Sequence, residues 1–375
     1  MANKKQVKAV PEKQTGNGKK KWTKKRIVAA SIIGAAMVAF VVFGVIVLTM
    51  GVRPIKSEEA EAMVVGSYGN YDVRYEELRY VTLLHKQSLD AEMGEHETLD
   101  ATAKAVYAAE LENRVMKDLK SNYVILSMCD EYGIDSNSRD VRTYVQNSIE
   151  EYVNKTFSGD VAKYKEWLAE NHLTDHFLRL LYKVDYLEAQ LLSYFVENHV
   201  DVQYGEENIT EFVSYVMRGE DWVRAIHAYY PKGDGSASES GFAQATAAAA
   251  ELAGVEDAEA RYDAMCSIIG KAPFVSGYSI VGSGIYFTYG QMGEAYESAG
   301  FALSEYECSG VIETEDGYYV IMRLPAEEDY VKKNAADLLN KYQYAVLKKY
   351  EDSCGESLVF EAEDCFADIS LADMK

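Results

Sequence analysis

The strongest constraint in this chain is a run of 26 residues without a single charge, Ile27 to Val52, IVAASIIGAAMVAFVVFGVIVLTMGV. As a helix rising about 1.5 Å per residue it reaches roughly 39 Å, enough to cross a hydrocarbon core about 30 Å thick with some tilt. Residues 1–26 carry ten Lys/Arg against Glu12 alone, a charge of +9, and residues 53–375 carry 28 basic against 59 acidic residues, a charge of −31. The positive-inside rule keeps the basic tail cytoplasmic and sends residues 53–375 outside the cell. A cleaved signal peptide is the competing reading. Ala60-Glu61-Ala62 has the small-x-small form of a cleavage site, but it lies eight residues beyond a run longer than a usual h-region. The net charge of −22 speaks against a nucleic-acid binder, which needs a basic face.

Beyond the run, the chain divides by pattern. Met63–Leu78 offers two short β-prone pieces flanking Gly66–Asn70, with a helix from about Tyr75. Val115, Leu119, Tyr123 and Leu126 mark a helical stripe within 97–131 that ends at Gly133. A helix from Ser138 to about Val153, a short one around Trp167 and a long one capped by Thr174 follow. Phe177, Leu181, Val184, Leu187, Leu191 and Phe195 fall on one face of the long helix. After Gly205 the character changes. Trp222–Tyr230, Ile285–Phe287 and Gly317–Leu324 read as strands, and 242–253 and 256–269 as helices, so 220–326 reads as a compact α/β unit. A single helix is expected over 329–351 and a short strand over Ser357–Phe360.

Familiar catalytic signatures are missing. Six histidines include no HExxH and the five cysteines no paired CxxC, so no metal or other cofactor is expected. His172 and His176 are four apart, but Thr174 between them reads as a helix start. Gly282-Ser283-Gly284 lacks the lysine and spacing of a phosphate loop. Cys129, Cys266, Cys308, Cys354 and Cys365 are odd in number; a Cys354–Cys365 bridge and five scattered thiols are both compatible with the spacing.

One constellation stands apart. His227 lies inside the strand-like Val223–Tyr230. It is followed by Phe287-Thr288-Tyr289-Gly290-Gln291-Met292 with Tyr296, by Phe301-Ala302-Leu303, and by Thr314 ahead of Gly317-Tyr318-Tyr319-Val320-Ile321. In that order the pieces resemble a parvulin-type peptidyl-prolyl isomerase domain over 220–326. Residues 60–200 resemble the N-terminal chaperone domain of extracytoplasmic foldases of the PrsA/SurA type. The resemblance implies an α+β chain: a helical chaperone domain, built from the N-terminal part and the C-terminal helix, carries an inserted parvulin-like α/β domain after one transmembrane helix. The implied boundaries are 1–26 for the tail, 27–52 for the span, 53–215, 216–326 and 327–375.

By the same resemblance Met292, Tyr296, Phe287 and Phe301 form a socket for the substrate proline, and His227, Thr314 and Tyr319 form the polar network beneath it. The departures are specific. Tyr319 stands where the family has a second histidine, Tyr296 where Phe is usual, and Lys271 or Ala272 where Asp or Cys is usual. The expected partners are unfolded or newly exported polypeptides and, through one N-terminal helix, the membrane; homodimerisation is left open. A folding factor that isomerises Xaa-Pro bonds, a holdase with an inactive parvulin fold, and an envelope scaffold docking one partner all fit the residues. The 29 tyrosines suit any binding surface, since Tyr joins apolar area to a polar tip.

Overall fold

The computed structural model describes residues 62–232, 241–273, 280–314 and 317–374; the basic tail and the uncharged run lie outside them. Among the described residues no helix is long and apolar enough to cross a membrane. The fold is mostly helical, with one small and one larger antiparallel sheet.

The chain begins with a hairpin, β1 (Val64–Tyr68) and β2 (Tyr71–Arg74), and continues through α1 (Tyr75–Met93), α2 (Ala101–Glu131), α3 (Arg139–Phe157), α4 (Val161–Glu170), α5 (Asp175–Glu197) and α6 (Ile209–Arg218). Short polar side chains start most of these helices. Asp100, Ser138, Asp160 and Thr174 each accept N–H bonds from the first turn of α2, α3, α4 and α5, satisfying donors that have no partner inside a helix. Val115, Leu119, Tyr123 and Leu126 are buried on α2, as are Phe177, Val184, Leu187, Leu191 and Phe195 on α5. Leu181 is half-buried.

The C-terminal segment completes this body. α10 (Glu328–Lys333) and α11 (Ala335–Ser357) replace the expected single helix, with the chain breaking at Asn334. Leu338, Leu339, Tyr342, Val346 and Leu347 of α11 join the same hydrophobic core as α2, α5 and α6. The strand expected over Ser357–Phe360 is displaced: α11 runs to Ser357, and β7 is Phe360–Ala362. β7 pairs antiparallel with β1, Tyr68 opposite Phe360 and Gly66 opposite Ala362, giving the order β2-β1-β7. Gly66 thus lies in a strand rather than in the expected turn. It has no room for a side chain, because a Cβ there would run into the Phe360 ring and come within 2.7 Å of the Glu361 carbonyl oxygen.

Residues 223–324 form the second sheet: β3 (Val223–Pro231), β4 (Ile280–Phe287), β5 (Ile312–Glu313) and β6 (Gly317–Leu324), in the order β4-β3-β6-β5. Both faces are covered, so β3 is buried almost end to end rather than alternating. Ile226, Ala228, Val320 and Met322 face α7 (Gly241–Ala253) and α8 (Ala258–Lys271). Val223, Ala225 and Ile321 pack on the other face with Tyr296 of α9 (Glu294–Ala302).

The two strands of chain that join this sheet to the helical body are clipped together. Arg323 donates to the carbonyl oxygens of Leu303 at 2.9 Å and Gly219 at 2.5 Å. Buried Arg224 reaches the Pro325 carbonyl at 2.9 Å and Glu327 at 2.6 Å. Tyr286 stacks on Tyr330 at 4.6 Å and accepts the Glu327 N–H at 2.8 Å.

All five cysteines carry free thiols; Cys129 is buried and the other four are half-buried, so of the expected scattered buried thiols the scatter holds and full burial is met only at Cys129.

Two outcomes follow from the helical body. Gly66→Val should cost about 1–3 kcal/mol in urea unfolding, by forcing β7 away from β1. It should also strip exchange protection from the Glu363 amide, which bonds the Val65 carbonyl at 3.0 Å. The second outcome concerns Glu77, buried and 2.6 Å from the Tyr123 hydroxyl. Burial raises its carboxyl from 4.5 to about 7. The folded chain therefore holds a proton that the unfolded chain has released, and the stability this supplies is full below pH 4.5 and lost as pH rises through about 7. Glu77→Gln should flatten that part of the stability–pH curve, read as the urea midpoint at a series of pH values.

Candidate functional site

The sheet face under α9 collects most of the residues the sequence singled out. β3 and β6 pair in register, His227 opposite Ile321 and Tyr229 opposite Tyr319. Side chains alternate along a strand, so His227, Tyr229 and Tyr319 share a face with Val223 and Ala225. α9 lays Tyr296 across that face. His227 is 4% exposed and Tyr296 2%.

Three rings meet nearly at right angles. His227 and Tyr296 have centroids 5.5 Å apart, His227 and Tyr319 5.2 Å, and Tyr296 and Tyr319 5.4 Å, with interplanar angles between 83° and 89°. These are edge-to-face contacts, in which positive ring edges meet negative faces. The Tyr296 hydroxyl lies 2.6 Å from His227 Nδ1. Burial, with Tyr319 adding to it, raises the Tyr296 pKa, so the hydroxyl keeps its proton. The His227 tautomer sets which of the two groups donates.

Phe287, fully buried at the end of β4, stands edge-on to Tyr296 at 5.5 Å and to Phe301 at 5.9 Å. Met292, Phe301 and Tyr319 pack against the same cluster while remaining half-exposed at its rim. Thr314, at the end of β5, is bonded to the start of β6, its N–H and hydroxyl both donating to the Gly317 carbonyl at 2.8 and 3.0 Å. The positions aligned with the family's Asp or Cys do not come to the rings. Ala272 packs on the opposite face of the sheet, and Lys271 is exposed at the end of α8.

The loop between β4 and α9 is held by a residue the sequence reading missed. Glu297, 8% exposed in the first turns of α9, accepts three backbone N–H bonds, from Gly290 at 3.0 Å, Gln291 at 2.6 Å and Met292 at 2.7 Å. Charge-assisted bonds of this kind are roughly twice as strong as neutral ones. The only trace in the sequence is an acid in the first turns of a helix behind a glycine, a pattern that usually means dipole compensation. The same loop touches α11. Gln291 donates to the Lys341 carbonyl at 3.0 Å, and Lys341 donates to the Tyr286 carbonyl at 2.6 Å. Gly290 has φ +74°, and a Cβ there would fall 2.5 Å from Lys348 Cγ. Tyr289 reaches Asp352 at 2.6 Å. The segment carrying Met292 is thereby fastened both to its own helix and to the helical body.

Among the described residues no group of His, Cys, Asp and Glu could hold a metal ion. His172 and His176 serve separate partners, Arg79 at 2.9 Å and Glu76 at 2.6 Å.

Glu297→Gln should loosen residues 290–292, seen as faster amide exchange there, at a cost of about 1–3 kcal/mol. Tyr296→Phe should preserve the ring packing and cost about 1 kcal/mol. It should also change the chemical shift of the His227 Nδ1, since its hydrogen-bond partner is gone.

Residues 20–192 match the family model described as the SurA-like N-terminal domain. No curated protein matches the chain. Solved structures similar to it include a chain described with PEB4 and Cj1289, two structurally related SurA-like chaperones of Campylobacter jejuni. It shows 15% identity over 80% of this chain and 100% of that one, with a TM-score of 0.24. Peptidylprolyl isomerase PrsA of Bacillus anthracis shows 16% identity over 64% of this chain and 94% of that one, with a TM-score of 0.28. Foldase protein PrsA of Streptococcus pneumoniae shows 12% identity over 79% and 92%, with a TM-score of 0.26.

Proposed function

We propose that this protein is a membrane-anchored folding factor that works outside the cell and binds unfolded, newly exported polypeptides. The observation that carries the reading is the match of residues 20–192 to the family model of the SurA-like N-terminal domain. The closure of that region by α11 and β7 supports a body made from both ends of the chain. On this reading residues 1–26 stay in the cytoplasm, 27–52 span the membrane, 53–215 with 327–375 form the chaperone domain, and 216–326 form an inserted parvulin-like domain.

A specific observation favours isomerisation of Xaa-Pro bonds as an added activity: the His227–Tyr296–Tyr319 cluster with Met292 and Phe301 at its rim. Rotating such a bond means crossing a barrier of about 18–20 kcal/mol set by amide resonance. An apolar socket for the proline ring in a low-dielectric site favours the twisted, less resonant amide, and no covalent bond breaks. Met292, Phe301 and Tyr319 would receive the ring. Phe287 and Tyr296 would back them, and His227 would fix the Tyr296 hydroxyl from below. Thr314 would act at a distance by setting the β5–β6 turn that places Tyr319.

A protease-coupled assay on an Ala-Pro peptide decides between the catalytic and the binding-only version. The full-length chain should accelerate isomerisation, and His227→Ala should lower the rate at least about tenfold, or 1.4 kcal/mol in the barrier. Both forms should suppress aggregation of a proline-poor client equally. A wild-type chain without acceleration, or a His227→Ala form that keeps it all, would leave a holdase. Failure to suppress aggregation would sink the folding-factor reading itself.

A further inference from the structure

Where the helical body meets the sheet unit, two adjoining hollows of about 450 and 230 Å³ open to solvent. They share Tyr215, Asp221, Tyr342, Val346 and Lys349, so they form one cleft. The larger hollow falls in the range of about 300–1,000 Å³ typical of ligand sites. None of the residues that line it belongs to the ring cluster described above.

Its walls are aromatic and its polar groups mostly acidic. Tyr204 stacks on Tyr215 at 5.0 Å, and Tyr342 stands edge-on to both, at 5.5 and 5.8 Å. Two carboxylates are fixed in the lining by tyrosine hydroxyls: Asp221 accepts from Tyr215 at 2.9 Å, and Asp201 accepts from Tyr350. Each retains acceptor positions for a further donor. The rings already hold cations of the chain itself. The Arg218 guanidinium lies 5.4 Å from the Tyr215 centroid, and Lys349 Nζ lies 5.6 Å from that of Tyr289. Aromatic faces beside fixed carboxylates select a cation on an apolar stem, through ring attraction, ion pairing and burial of the stem together. Asp201, Asp221 and Glu220 outnumber Lys349 in the lining, and the −31 charge of residues 53–375 works in the same direction at long range.

We propose that this cleft is a docking site for a basic residue, Arg or Lys, in an extended polypeptide, and that it gives the chain a preference among its clients. The inference rests on the polypeptide-binding reading above and adds the recognition element. The smaller hollow continues past Thr288 and Tyr289 to Phe301, at the rim of the ring cluster. A segment anchored by its basic residue at Asp201 and Asp221 therefore runs on toward Phe301, and an apolar or aromatic neighbour of that residue occupies the second hollow.

The test uses the full-length chain and fluorescein-labelled heptapeptides that differ at one position, Arg, Gln or Glu, beside a phenylalanine. Fluorescence anisotropy at low salt should show the Arg peptide binding about tenfold tighter than the Gln peptide and the Glu peptide weakest, with the gap narrowing in high salt. The Asp201→Asn, Asp221→Asn double variant should erase the difference. Asparagine suits the left-handed backbone of Asp201 (φ 52°) and keeps an oxygen for each tyrosine hydroxyl, so the thermal midpoint should hold. Lys349→Gln, on an exposed helix position, gives an independent arm and should widen the preference for Arg. Equal binding of the Arg and Gln peptides by the wild-type chain would overturn the proposal. So would a double variant that keeps the preference, or free arginine competing as well as the peptide. Aggregation suppression, read in parallel, judges the folding-factor reading separately: its loss with the Arg preference intact removes that reading and leaves the cleft.

Discussion

The helical body depends on one long-range closure, the return of the C-terminal segment to the N-terminal hairpin. β1 is a five-residue strand with only β2 beside it in sequence, and a two-stranded ribbon alone is marginal in water. β7 supplies its second neighbour, and Phe360 places its ring against Tyr68 at 5.2 Å, where Tyr68 in turn meets Tyr123 of α2 at 5.3 Å. Lys86 and Lys120 tie the same ends together by donating to the Ala372 and Gly355 carbonyls. α11 then fills the groove left by α2, α5 and α6. Remove the return and the core would open along its length, whatever the propensities of the individual helices.

The second organising element is the β4–α9 loop. Its three N–H groups converge on Glu297, its Gln291 reaches α11, and its glycine lies against Lys348. One segment thus shapes the rim of the ring cluster and fastens the sheet unit to the body. A change in the position of α11 would be felt at Met292 without passing through the sheet.

Much of this was legible in the residues because local chemistry dictated it. The caps Ser138 and Thr174, the stripes of α2 and α5, and the strand Gly317–Leu324 follow from hydrogen-bonding and periodicity. The order of the His227, Phe287, Met292 and Tyr296 pieces carried the ring cluster. What escaped was decided at long range. Gly66 reads as a turn residue but is required by the Phe360 ring almost 300 positions away. The shift of the last strand to Phe360–Ala362 reflects where β1 offers free hydrogen bonds, not propensity. Glu297 resembles any acid at a helix start, and the tyrosines of the cleft come from 204, 215 and 342, a proximity that no local pattern encodes.

The paired crossings beside Tyr286 and Tyr330 have an evolutionary consequence. With Arg323 on Gly219 and Arg224 on Glu327, the chain leaves the body and rejoins it at neighbouring points. Loop-closure cost grows only logarithmically, about 0.6 kcal/mol for each doubling of length. Apart from the β4–α9 loop that is fastened to α11, what hangs between the two crossings is therefore free to lengthen, shorten or change its surface while the body keeps its shape. Such a joint lets a lineage exchange the sheet unit without rebuilding the frame that holds it.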